Sequence, residues 1–134
     1  MMYGTKQEHT MVRRAGLCFV IADDRHARFA RLGADNRPHT FRTVDRSAVP
    51  DTAAAETDVF ALVLTQSINE DFAVDLFTEL VVIAPGYILG QLMAMIEVPA
   101  DGKLDGCVAA NLRHVPDDQL GPHLEQWLRP AYQA

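Results

Sequence analysis

Cysteine is scarce in this sequence, and so are the long apolar runs of membrane helices. The chain of 134 residues has two cysteines, Cys18 and Cys107, each inside an apolar stretch. Because a disulfide framework or a zinc site needs more cysteines at closer spacing, we expect both to be buried and reduced. No stretch reaches the roughly 18 apolar residues of a membrane span. Residues 1–12 also lack the apolar core of a secretion signal, so the sequence predicts a cytoplasmic protein.

Basic residues are also few in this sequence. Twelve basic residues stand against eighteen acidic ones, with a net charge of −6 at pH 7, which argues against a surface that clamps nucleic acid throughout. The basic residues are nevertheless concentrated. Residues 13–46 hold eight arginines and four aspartates, whereas residues 47–134 hold three basic and thirteen acidic side chains. Such asymmetry predicts a partner-binding face. The alternative to a partner-binding face is that these arginines only keep an edge hairpin exposed to water.

Hydrophobic periodicity predicts an α/β domain. Short apolar runs bounded by Gly, Pro and Asp are typical of strands, and stripes at helical spacing indicate helices. The predicted order is β-β-β-α-β-α-β-α, with strands at 16–22, 26–32, 40–44, 80–84 and 104–111, and helices at 53–74 and 87–97. A last helix is predicted between Pro116 and Pro130, with Leu120, Leu124, Trp127 and Leu128 on its apolar face. Residues 59–64 could instead form a buried strand. Alternating strands and helices require parallel crossovers, and the leading turns add an antiparallel hairpin edge. We predict a ribonuclease H-like mixed sheet: a single domain over 13–134 after a flexible tail at 1–12.

Three stretches of the sequence resemble a known family. They are Val20–Phe29, the run Leu80–Leu92 with its Ala-Pro strand end, and Leu112–Leu120 with its Pro-opened helix. In this order and spacing they resemble the bacterial host-attachment protein family, described as required for attachment to host cells. That family is grouped with relatives of the archaeo-eukaryotic release factor middle domain. Where the family usually has Lys-Asp-Leu, this chain has Ala110-Asn111-Leu112. If the charged Lys-Asp pair carries a shared function in the family, this chain lacks the two charges.

The resemblance implies little catalytic chemistry. Peptide release by this domain type needs a Gly-Gly-Gln loop, which the sequence lacks, and Gly90-Gln91 lies inside a predicted helix. The five histidines are scattered over predicted loops and strand ends without metal-ligand spacing, so we expect them to be solvated or to cap elements. The sequence therefore favours a non-enzymatic binding module that needs no cofactor.

A divergent metal-dependent hydrolase or nuclease is the alternative. Two-metal phosphoryl transfer needs carboxylates on the first strand, the first helix and the fourth strand of this topology. Asp23 and Asp24 end the first strand and Asp58 could open the helix, but the fourth strand ends in Ile83-Ala84-Pro85. One ligand is missing, and Asp23-Asp24 is explained more simply as a turn.

The arginines of the leading hairpin are the predicted binding residues. Arg28 and Arg42 lie on neighbouring strands and could share a sheet face if the register allows, with Arg25 and Arg31 beside them. Guanidinium groups on an edge sheet suit phosphate or carboxylate recognition, so the predicted partner is RNA, a ribonucleoprotein or a protein. The alternative is that edge charges only prevent strand-to-strand aggregation.

The helix at 87–97 predicts a weak homodimer because it is apolar nearly all round. Its inward stripe is predicted to be Leu89, Leu92, Met93 and Ile96, and its second flank Tyr87, Ile88 and Met95. A two-fold axis would bring that flank against its own copy. The alternative is that the flank packs against the last helix, with Trp127 filling the gap.

Overall fold

The computed structural model describes residues 16–45 and 56–128. The elements, in chain order, are β1 (Leu17–Ala22), β2 (His26–Leu32), β3 (Pro38–Asp45), α1 (Glu56–Ala73), β4 (Glu79–Ala84), α2 (Gly86–Met95), β5 (Lys103–Ala109), the 3-10 turns Asp117–Gln119 and Gly121–His123, and the one-turn helix α3 (Glu125–Leu128). The predicted tail at 1–12 and the predicted helix start at Ala53 lie outside the described residues. Helix α1 covers the stretch at 59–64, which is therefore helical rather than a strand.

The five strands form one mixed sheet in the order β3-β2-β1-β4-β5. β1 pairs antiparallel with β2, and β2 with β3, whereas β1, β4 and β5 run parallel. Helix α2 joins the parallel strands β4 and β5, because a tight turn cannot join parallel strands, and β1 is connected to β4 through β2, β3 and α1. The predicted mixed α/β sheet with an antiparallel edge is confirmed.

The core occupies both faces of the central strands. Every side chain of β1 is buried, which explains its unbroken apolar run. Alternation along β1 directs Cys18 and Val20 towards the face covered by α1 and α2, and Leu17 and Phe19 towards the opposite face. The second face is covered by residues 110–128, which we call the C-terminal segment.

The last helix was predicted wrongly. Residues 117–123 form two 3-10 turns instead of a continuous α-helix, and α3 has a single turn. Pro122 lacks the N–H of a helical hydrogen bond, and it disfavours helical backbone at Gly121. Leu120 and Leu124 are nevertheless fully buried against the sheet. The apolar positions were thus identified correctly, although the backbone that carries them was not.

Strand β5 is an edge strand rather than the buried strand predicted from its apolar run. It has one neighbour, β4, and its side chains are half-buried or exposed. Cys107 is accordingly exposed, which corrects the prediction that both cysteines are buried. Cys18 is buried as predicted. Burial disfavours its thiolate and raises the pKa of Cys18 to about 12.

Helix α2 is rotated relative to the predicted orientation. Ile88 and Leu92 are its fully buried residues, and Leu89, Met93, Met95 and Ile96 pack part-buried around the same core. Ile88 therefore cannot form the predicted dimer contact, because a side chain inside the core is closed to a second copy. Trp127 does not fill a gap beside α2, since it packs on Phe19 at the opposite face. Tyr87 is 64% exposed, and a dimer contact there stays a prediction.

No helix within the described parts of the chain has the length and apolarity to cross a membrane.

Candidate functional site

The turn after β1 is held by Asp23. Its Oδ1 accepts hydrogen bonds from the backbone N–H groups of Arg25 (2.8 Å) and His26 (2.7 Å). Its Oδ2 lies 3.3 Å from Nε of Arg113. A short carboxylate that caps its own turn in this way is what the simpler interpretation of Asp23-Asp24 predicted. Across residues 16–45 and 56–128 no three His, Cys, Asp or Glu side chains come together as a metal site, and the side chain of Asp58 lies outside the described residues.

Arg28 fixes the C-terminal segment to the sheet. Its Nη1 donates to the Asp117 carboxylate at 3.2 Å, and its Nη2 donates to the carbonyl oxygens of Leu112 (3.2 Å) and Val115. Asp117 also accepts from the backbone N–H and the hydroxyl of Thr40, each at 2.7 Å. Burial lowers the pKa of Arg28, against the opposing effect of Asp117. Partial burial tends to raise the pKa of Asp117, but the Thr40 hydrogen bonds and the Arg28 charge outweigh it and lower that pKa.

Arg42 lies on the other face of the sheet. It pairs across the strands with Phe29, and Arg28 pairs with Thr43, so the two arginines alternate to opposite sides. Arg42 donates to the Asp71 carboxylate at 2.6 Å and stacks over the Phe29 ring at 4.6 Å. The prediction that Arg28 and Arg42 share a face is therefore wrong.

The remaining two predicted binding residues lie in different surroundings. Arg31 stacks on the Phe41 ring at 4.3 Å, on the helix-covered face. Arg25 is exposed in the turn that Asp23 holds. Arg25 is thus three residues before Arg28 in the sequence, and Arg31 and Arg42 lie on the face of the sheet opposite Arg28.

An open cleft of about 320 Å³ lies beside that turn, on the face of the sheet where Arg28 lies. We call it the hairpin cleft. It is lined by Ile21, His26, Ala27, Arg28, Thr43, Val44, Asp45, Arg113 and His114. Ile21, Arg28 and Thr43 form one cross-strand row of its wall, and His26 lies opposite Asp45 in the next. Arg113 and His114 come from the C-terminal segment and close the other side.

Two buried side-chain nitrogens of this cleft have no hydrogen-bond partner among the described residues. Nε of Arg28 is buried, and no acceptor for it exists among the described residues. Nδ1 of His26 is likewise buried without a hydrogen bond there, 3.9 Å from Asp23 Oδ1. Nη1 of Arg113 lies 3.0 Å from Nε2 of His114. The same Nη1 lies 3.4 Å from Nδ1 of His114, and Asp23 is the carboxylate that compensates the Arg113 charge.

The cleft lies where the fold family of open α/β sheets places ligands, namely outside the carboxyl end of a central parallel strand. From β1 the chain continues to β2 on one side of the sheet, and from β4 it continues to β5 on the other side, so the connections diverge between β1 and β4. Arg113 and His114 were not among the predicted binding residues, because nothing local links them to the hairpin. The only signal was the Leu112–Leu120 motif, which contains both.

A protein-family model described as "Protein required for attachment to host cells" matches residues 20–124, in agreement with the predicted resemblance. No curated protein matches the chain. Among solved structures, Dom34 of S. cerevisiae, a translation termination-like factor involved in RNA quality control pathways and interacting with Hbs1, is similar at 8% sequence identity and a TM-score of 0.43. That likeness covers 87% of this chain and 37% of the yeast protein, so the chain spans little more than a third of it.

Proposed function

The chain belongs to the family of proteins required for attachment to host cells, and we propose that it acts there as a non-enzymatic binding module. Its role is to hold an anionic group of a partner in the hairpin cleft. The proposal keeps the basic-hairpin idea and changes the residues that carry it.

One observation carries the proposal: two guanidinium groups from distant parts of the chain, Arg28 and Arg113, line the same opening. Two histidines line it too, and Asp45 is its one lining carboxylate. Arg28 forms the inner wall, because its two terminal nitrogens are already bound to the C-terminal segment. Arg113 stands at the rim, half-buried, where a partner group competes with Asp23 and His114 for its N–H donors.

The other arginines of the hairpin take different roles in this proposal. Arg25 is exposed next to the cleft and attracts an anionic partner at long range, an effect that salt screens. Arg42 and Arg31 stabilise the packing of the opposite face through Asp71, Phe29 and Phe41. They are therefore not assigned to the partner.

The test compares Arg113→Gln with Arg37→Gln. Arg37 is an exposed arginine in the turn after β2 and does not line the cleft, so both variants lose one charge. The probes are polyglutamate, an RNA oligonucleotide and inorganic pyrophosphate, measured by calorimetry at low and high salt. We expect at least one probe to bind, and Arg113→Gln to weaken it roughly tenfold or more, the effect of one charge-assisted hydrogen bond. Equal losses in the two variants, or no binding of any anion at low salt, would overturn the proposal.

A further inference from the structure

Strand β5 forms one edge of the sheet, and no other strand of the described residues adjoins its outer side. We infer that two copies of the chain pair along this edge, β5 against β5 in antiparallel orientation, so that their two five-stranded sheets become one. The partner is thus a second copy of this chain. The interface lies away from the hairpin cleft, which no residue of β5 lines.

Two residues of β5 direct their backbone groups outwards. The N–H of Ala110, just after the strand, is donated to the carbonyl oxygen of Ala84 in β4 at 3.0 Å. Because backbone groups alternate in direction along a strand, Val108 faces β4 as Ala110 does, and Cys107 and Ala109 face away from it. The N–H and C=O groups of these two residues therefore have no ladder partner in the described parts of the chain. Such a row is a template for a further strand.

The opposite edge of the sheet, β3, is blocked. Pro38 has no N–H to offer a further strand. The N–H of Thr40 is already donated to the Asp117 carboxylate at 2.7 Å, and a register shift disturbs the ladder between β2 and β3. Copies therefore cannot add β3 to β5 in a row, which would build a fibre. Pairing of β5 with β5 closes after two copies.

One antiparallel register uses every outward group of Cys107 and Ala109. With the two-fold axis at Val108, Cys107 of one copy lies opposite Ala109 of the other, and each of these pairs exchanges two hydrogen bonds. Val108 then meets its own copy across the axis, on the face where Trp127 packs beside Gly106. Val108 and Trp127 are half-buried in the single chain. Pairing therefore covers apolar side chains as well as backbone groups.

A second copy suits this edge better than a peptide segment of another protein. Peptides that add to a sheet edge gain specificity from side-chain pockets beside it. β5 lines neither the hairpin cleft nor the smaller cleft at Asn69, Ala73 and Pro99. A flexible peptide also loses conformational entropy when it becomes a strand, whereas β5 of a second copy is already ordered. Residues 106–110 carry no charge, so two chains of net charge −6 meet there without like charges opposed.

The test compares Ala109→Pro with Ala109→Val. The proline removes one outward N–H from each copy and spares the ladder to β4, whereas the valine keeps that N–H and suits a strand. Sedimentation equilibrium measures the masses of wild type and both variants at about 10 μM to 1 mM, because so small an interface binds weakly. We expect wild type and Ala109→Val to dimerise reversibly. Ala109→Pro should weaken dimerisation roughly tenfold or more.

Amide hydrogen exchange of the wild type gives a second readout that needs no variant. Protection of the Cys107 and Ala109 amides should rise with protein concentration, whereas Val108, whose N–H faces β4, should be protected throughout. A chain that stays monomeric at the highest concentration overturns the inference, and so does a dimer that folded Ala109→Pro leaves unchanged. Protection of Cys107 and Ala109 that is equal at every concentration would show that the chain covers its own edge, which also overturns it.

Discussion

Replacing Asp117 with asparagine tests the polar contact that fixes the C-terminal segment over the sheet. The wild-type carboxylate accepts three hydrogen bonds, two from Thr40 and one from Arg28. An asparagine retains one oxygen and turns an amide N–H₂ towards a donor, so one or two of the three bonds are lost. Asp118→Asn is the matched control, because Asp118 is its exposed neighbour.

The expected loss follows from the geometry. Hydrogen bonds to a charged group contribute about 1.5–3 kcal/mol each, and the side chain of Asp117 is 34% exposed, so water replaces part of what is lost. We expect Asp117→Asn to lower the free energy of unfolding by about 2 kcal/mol, out of the roughly 5–15 kcal/mol of a typical domain. That corresponds to a fall of about 6–10 °C in Tm, or a urea midpoint lower by about 1 M with an unchanged m value.

The pH dependence gives a second readout. Because the pKa of Asp117 is lowered in the folded protein from its ordinary value of 3.8, its contribution to stability is fully present above that value. It is lost as the pH falls through the lowered folded pKa. The difference in unfolding free energy between wild type and Asp117→Asn should therefore be constant from pH 5 to 8 and shrink only below about pH 4. Equal stability of Asp117→Asn and Asp118→Asn, or a difference that vanishes between pH 5 and 7, would show that the Asp117 contacts do not stabilise the fold.

Two further predictions concern strands β1 and β5. In the native protein at pH 8 a thiol reagent should modify Cys107, which is exposed, and spare Cys18, which is buried with a raised pKa; a denatured sample should show both thiols reacting. Fast modification of Cys18 would contradict its burial. At Gly106 a Cβ would lie 3.1 Å from the Trp127 ring, so Gly106→Val should cost about 1–3 kcal/mol and shift the fluorescence of the sole tryptophan. Gly106→Ala is the control and should change both much less, and an unshifted spectrum in the valine variant would place Trp127 elsewhere.

Some features of the candidate site could be predicted from the sequence. The turn role of Asp23 was predictable, because a short carboxylate after a strand bonds to the backbone N–H groups that follow it. The clustering of charge also predicts that the hairpin arginines bind a partner, and that role stays a prediction. The directions of these arginine side chains were not predictable. They depend on strand register, and the register shift between Phe29 and Ala30 changes which residues of β3 share a face.

Local sequence patterns were sufficient to predict β1, α1 and the apolar positions of the C-terminal segment. The apolar run of β1 is buried along its whole length, and the stripe of α1 is helical, because periodicity reports how many faces of an element meet the core. The same signal placed Leu120 and Leu124 inwards even where the helix was broken by Pro122.

Which faces and edges of these elements meet depends on long-range packing. An apolar run cannot tell a central strand from an edge strand, so Cys107 was placed in the core although β5 has a single neighbour. Helix α2 is apolar nearly all round, so its sequence does not show which of its faces meets the core. In the structure the buried face contains Ile88. The meeting of Arg113 with Arg28 in one cleft depends on the C-terminal segment crossing the sheet. That crossing is set by long-range packing and by the Arg28–Asp117 contact, and no pattern within either stretch encodes it.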